Sequence, residues 1–153
     1  MTRQRELSLL GYAGLIPFVA GTAIAFVDDG AHLDAGLTVI MFYGGIIASY
    51  MAGMGAGALV VSEKPAGRPL LPGMLAALVA WIVIMPSGFH RTDDLWTAAR
   101  LFALAAVFLF LLTIDLKAVR SGGFPDWYGA LRIWLSFGAC LALAVVAVRV
   151  LTA

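Results

Sequence analysis

The stretch Gly44–Gly57, GGIIASYMAGMGAG, carries two rows of small residues at four-residue spacing. One row is Gly44, Ala48, Ala52 and Ala56; the other is Gly45, Ser49, Gly53 and Gly57. A helix stacks positions i and i+4 on one face, so one side of this helix has almost no side chain. In water each glycine would weaken the helix by about 1 kcal/mol relative to alanine. In hydrocarbon the helix persists, because every unpaired backbone group there costs several kcal/mol. Rows of small residues also let a second helix approach closely enough for dispersion contacts to hold the pair. The stretch is therefore expected to be a membrane-embedded helix with a docking face, for other helices of the chain or for a second molecule.

The rest of the chain has the same character. Of its 153 residues, 62% are hydrophobic and 12% charged, with a mean hydropathy of +0.97. A soluble domain carries about 25% charged residues. At about 20 apolar residues per crossing, the length accommodates about five helices. The expected fold class is all-α: a polytopic membrane protein, a compact bundle of about five transmembrane helices, in one integral membrane domain over 1–153. A net charge of +1 without a basic patch predicts no nucleic-acid partner. The single cysteine, Cys140, lies in an apolar run and can form neither an intramolecular disulfide nor a thiolate metal cluster.

The expected spans are about 7–27, 36–61, 70–86, 97–116 and 128–151. The first begins after Arg3 and Arg5 and contains Pro17. Its Ala23-Ile24-Ala25 triplet also fits a cleaved signal peptide, but the run is long for a signal core and a proline suits a kinked span. Proline frees a backbone carbonyl that a neighbouring helix can satisfy. Asp28–Asp34 reads as a loop, and Pro86-Ser87-Gly88 closes the short third span. Lys and Arg concentrate on one side: Arg3, Arg5, Lys64, Arg68, Lys117, Arg120 and Arg132 against Arg91, Arg100 and Arg149. That bias predicts a cytoplasmic N-terminus and an outside C-terminus. Trp81, Trp96, Trp127 and Trp134 fall near span ends, as an aromatic belt does.

Side chains that carry chemistry are few. Asp28, Asp29, His32 and Asp34 in one outer loop, and His90, Asp93 and Asp94 in another, match no metal-ligand spacing, and no metal is expected. Asp93 and Asp94 precede the fourth span, where carboxylates complement the helix dipole. Arg100 can snorkel to headgroups, pair with Asp93 or Asp94, or face a polar cavity. Tyr12, Tyr43 and Tyr50, with Ser49 and Arg100, define a possible cavity for a lipid, quinone or other apolar ligand; the hydroxyls can equally bond between helices. Met41, Met51 and Met54 read as packing residues. There is no HEXXH, P-loop or GXSXG, so neither catalysis nor a cofactor is expected.

The most distinctive wording is the last hairpin: Asp115, Lys117 and Arg120, then Phe124-Pro125-Asp126-Trp127-Tyr128, then Leu131-Arg132-Ile133-Trp134. Gly122, Gly123 and Pro125 predict the turn. Asp115 can pair with Arg120 or Arg132, and both arginines can reach anionic headgroups. Together with LGYAGLIPF at Leu10–Phe18 and the small-residue span from Tyr43, this wording resembles the family known as domain of unknown function 3429, relatives of transmembrane protein 69. The resemblance covers nearly the whole chain. Where many members carry a His-Trp pair late in the second span, this chain has Gly55-Ala56. The resemblance implies a multi-pass bundle in a bacterial inner membrane or its organelle descendant, without an assigned activity.

The combined expectation is a non-enzymatic protein in contact with membrane lipids and with other integral membrane proteins or a second copy of itself. It would act as an accessory or assembly subunit of a larger complex of respiratory or photosynthetic type. The alternative is a binder or transporter of a small ligand, lipid or quinone. The expected packing face is Gly44, Gly45, Ala48, Ser49, Ala52, Gly53, Ala56 and Gly57, and the expected hairpin motif is Asp115, Arg120, Pro125, Trp127, Tyr128 and Arg132.

Overall fold

A computed structural model of the chain describes residues 3–27, 30–60, 70–85 and 93–152. Within them the chain is helical: α1 (Arg3–Ala13), α2 (Ile16–Ala25), α3 (Gly30–Val60), α4 (Leu70–Ile84), α5 (Asp94–Arg120) and α6 (Asp126–Leu151). Four runs among the described residues are long and apolar enough to cross a bilayer: Gln4–Ala25, Gly30–Ala58, Asp94–Arg120 and Asp126–Leu151. Leu71–Ile84 is a shorter apolar helix. The all-α membrane architecture is thus present, with the first crossing divided into α1 and α2.

Pro17 explains that division. It lies in the first turn of α2, where its missing N–H is one the helix leaves unpaired anyway. The break falls at Gly14 and Leu15, whose amide tightens onto the Tyr12 carbonyl at 3.0 Å. Tyr43 Oη on α3 donates to the Gly14 carbonyl at 2.8 Å. The kink therefore receives its hydrogen bond from a neighbouring helix, the arrangement that hydrocarbon demands of an interrupted span.

The second crossing begins earlier than the composition suggests. Asp28–Asp34 reads as a loop, yet α3 starts at Gly30 and takes His32 and Asp34 into its first turns. Leu33 and Leu37, one turn apart, are both buried. Gly36 meets α2 backbone to backbone: a Cβ there would stand 2.5 Å from the Gly21 carbonyl oxygen and 2.6 Å from the Ala25 amide nitrogen. Packing against α2 thus outweighs the polar composition that indicated a loop. At 31 residues α3 is about 46 Å long against about 30 Å of hydrocarbon, so it tilts or projects beyond it.

The last two helices form an antiparallel hairpin. Asp93 caps α5 by accepting from the Trp96 amide at 2.7 Å. At the far end Gly122 has φ +72, the left-handed conformation that glycine adopts without a Cβ penalty. Gly123 N donates to Ala118 O and Gly122 N to Val119 O, both at 2.9 Å, which makes a Schellman motif. Pro125 then caps α6 in extended conformation. The turn therefore lies where Gly122, Gly123 and Pro125 predict it.

The core lies where α2, α3, α5 and α6 converge. Phe18 stands edge-on to Tyr43 and Phe108, with ring centroids 5.3 and 5.9 Å apart. Ile40, Ala48, Leu104 and Leu143 surround it, all fully buried. The shorter α4 packs on α3 and α5 through Ala76 and Ala80 and leaves Leu71, Leu78 and Trp81 outward. Its 15 residues rise about 22 Å, less than the hydrocarbon thickness.

Gly36→Ala is expected to destabilise the protein by about 1–3 kcal/mol, the usual range for overpacking. Gly55→Ala meets no described atom within 4 Å and is expected to be neutral or to stabilise by up to about 1 kcal/mol. Thermal unfolding of the two variants in one detergent, followed by circular dichroism, checks the contrast.

Candidate functional site

The principal polar cluster is built on the α5–α6 hairpin. Arg132 is the seventh residue of α6 and lies about 9 Å along the helix from its start. Asp115 lies at matching depth on the other helix of the hairpin, five residues before the end of α5. Both side chains turn inward: Arg132 is 1% exposed and Asp115 6%. Arg132 Nε donates to Asp115 Oδ2 at 2.5 Å. Arg132 Nη1 points to α3 and donates to Met51 Sδ at 3.3 Å. One guanidinium therefore links three helices.

The remaining donor, Arg132 Nη2, is buried and has no partner among the described residues. The same is true of Ser136 Oγ, one turn further along the same face of α6 and 1% exposed. Tyr128, four residues before Arg132, stands within electrostatic reach of Asp115, Arg132 and Tyr50. Among the described residues the cluster holds the Arg132–Asp115 ion pair, two buried polar atoms without a partner, and the Tyr128 phenol.

Arg100 forms a second, separate site. It is 4% exposed and turned toward α4, where Nε donates to Val83 O at 2.6 Å and Nη2 to Ile84 O at 2.8 Å. The last carbonyls of a helix have no intrahelical partner, and a cation complements their partial negative charge. Arg100 therefore caps α4 from within the bundle. The capped end is that of a helix whose 15 residues are shorter than the hydrocarbon is thick.

The other expected residues fall into distinct places. Gly44, Gly45, Ala48 and Ala52 are buried within the bundle: a Cβ on Gly44 would meet Leu104 at 2.8 Å, and one on Gly45 would meet Ile84 at 2.7 Å. Ser49, Gly53 and Gly57 face outward, and Ala56 is half-buried. Arg120 and Pro125 are exposed, and Trp127 is half-buried with its ring edge-on to Tyr128. Tyr12 and Tyr50 are exposed on different helices, while Tyr43 is held at the α1–α2 kink and Arg100 at the end of α4. Tyr43 and Arg100 thus serve different contacts. Of the outer-loop residues, Asp28, Asp29, His90 and Arg91 lie outside the described residues, as do Lys64 and Arg68 on the other side.

Asp115 chooses Arg132, and the headgroup contact left open for Arg132 is excluded by its burial. Two members of the cluster escape sequence reasoning. Met51 reads as packing, because its thioether becomes a hydrogen-bond acceptor only when a guanidinium is placed against it. Ser136 is a lone hydroxyl in an apolar run; its i+4 spacing from Arg132 is the one signal that could have found it.

Residues 3–148 match the family described as "Protein of unknown function (DUF3429)", and the chain belongs to that family. No curated protein and no solved structure matches it.

Replacing Asp115 with alanine leaves Arg132 buried and unpaired, an expected loss of about 3–5 kcal/mol. The double replacement Asp115→Leu with Arg132→Met removes both charges and is expected to recover most of that loss, as read from detergent melts of the single and double variants. Arg100→Met is expected to speed amide hydrogen exchange selectively in α4, with α6 unaffected.

Proposed function

We propose that this protein is a non-enzymatic integral membrane subunit that packs against another integral membrane protein through the outward face of α3. The observation that carries the reading is the division of the two small-residue rows. Gly44, Gly45, Ala48 and Ala52 are consumed in the protein's own core. Ser49, Gly53 and Gly57 remain outward, and no described atom comes within 4 Å of where a Cβ on Gly53 or Gly57 would stand. A helix of a partner can approach such a backbone closely and gain dispersion contacts that lipid chains fill less well. In this reading the protein lies in a bacterial inner membrane with its N-terminus cytoplasmic and its C-terminus outside. It serves there as an accessory or assembly factor of a respiratory or photosynthetic type of complex. The charge bias of the loops supports that orientation. The second reading, a small-ligand binder, is favoured by a different observation, the orphaned polar atoms beside Arg132.

The test is site-directed crosslinking in native membranes. Cysteines at Gly53 and Gly57, in a Cys140→Ser background, are expected to form adducts with a second integral membrane protein that mass spectrometry identifies. A cysteine at Gly44 is expected to form none. Adducts confined to the chain itself would refute the subunit reading.

A further inference from the structure

We propose that a cleft on the outward side of α1 binds an anionic phospholipid, with Arg5 on its phosphate and Leu9 and Tyr12 along an acyl chain. The cleft has a volume of about 320 Å³ and is lined by Gln4, Arg5, Ser8, Leu9 and Tyr12. Successive turns of one helix supply these residues. Ser8, the shortest of them, lies one turn from both Gln4 and Tyr12 and leaves the gap between them. The side chains of Gln4, Arg5, Ser8 and Tyr12 make no hydrogen bond or ion pair among the described residues. Four polar groups with free donors thus border one opening.

The order of these side chains along α1 matches the order of groups in a phospholipid. Gln4–Ala25 is long and apolar enough to cross a bilayer, so Gln4 and Arg5 stand at its edge. At 1.5 Å per residue, Ser8 lies about 4.5 Å deeper than Arg5, and Tyr12 about 10.5 Å deeper. A phosphate on Arg5 therefore places the glycerol ester groups beside the Ser8 hydroxyl. The acyl chain continues over Leu9 and Tyr12 toward Ile16 and Val19, all of which are exposed.

Charge selects the headgroup. A guanidinium is always charged, and its planar fork matches the oxygens of a phosphate. Glu6, the carboxylate next to Arg5 in the chain, does not line the cleft. α1 runs parallel to α6: a Cβ on Gly11 would meet Leu131 and Leu135, and one on Gly138 would meet Leu15. Arg5 therefore lies at the end of the bundle where α5 finishes with Lys117 and Arg120, both exposed. Glu6 and Asp126, the exposed carboxylates described at this end, offset two of these three cations and leave an excess of positive charge. A lipid with one phosphodiester charge, such as phosphatidylglycerol, is attracted by that excess, whereas phosphatidylcholine brings its own ammonium and no net charge.

This inference is independent of the packing role of α3, and its test uses the purified full chain in mild detergent. Palmitoyl-oleoyl phosphatidylglycerol or phosphatidylcholine is titrated in, and bound lipid is counted by native mass spectrometry. Phosphatidylglycerol is expected to bind saturably and more tightly than phosphatidylcholine. Arg5→Gln is expected to weaken it about fivefold, the equivalent of about 1 kcal/mol for one basic residue at an anionic membrane surface. Arg120→Gln removes the same charge at the same end of the bundle and is expected to leave the affinity unchanged. Both side chains are exposed, so the melting temperatures of the two variants are expected to match that of the parent. Equal affinity for the two lipids, or an Arg5→Gln variant that binds as well as Arg120→Gln, would overturn the inference. Displacement of phosphatidylglycerol by glycerol 3-phosphate at equal concentration would assign the cleft to a soluble phosphate and overturn the lipid.

Discussion

A guanidinium held 1% exposed inside a membrane bundle constrains everything around it. Arg132 cannot lose its charge at any accessible pH and cannot reach water, so its partners must come from neighbouring helices. Asp115 on α5 and Met51 on α3 supply them. Satisfying one side chain thus sets the rotation of three helices about their own axes. The remaining hairpin geometry follows, because the Gly122 turn brings α5 and α6 into the register that places Asp115 opposite Arg132.

Arg100 obeys the same constraint for a different purpose. The last carbonyls of α4 have no donors within the helix. Two of them, on Val83 and Ile84, accept from Arg100. The kink at Gly14 is a third case, served by the Tyr43 hydroxyl. In all three the polar side chain is expended on structure, and in two the group it satisfies is backbone. Two of these sites also hold buried polar atoms without a partner among the described residues: Arg132 Nη2 with Ser136 Oγ one turn along α6, and Arg100 Nη1.

Glycine is used for two purposes. Gly21 and Gly36 allow α2 and α3 to touch at the backbone, and Gly44 and Gly45 receive the ends of Leu104 and Ile84. Gly53, Gly55 and Gly57 meet no described atom within 4 Å. The first set holds the bundle together by dispersion, since no hydrophobic driving force operates between helices in lipid. Of the second, Gly53 and Gly57 leave one face of α3 bare, while Gly55 lies on the opposite side of the helix.

The amino-acid sequence by itself determined the class of the protein and its local punctuation. The apolar runs, the proline in the first crossing, and Gly122, Gly123 and Pro125 at the hairpin act through neighbours in the chain, so composition and spacing suffice to read them. The helical start of α3 at Gly30 was hidden, because it depends on Leu33 and Gly36 meeting α2. The tertiary structure alone decided that Asp115 pairs with Arg132 and not Arg120, that Arg100 caps α4, and that only half of the small-residue surface is buried. Each of these depends on how one helix is rotated and placed against another. Four-residue spacing defines a face but carries no information on what that face will meet.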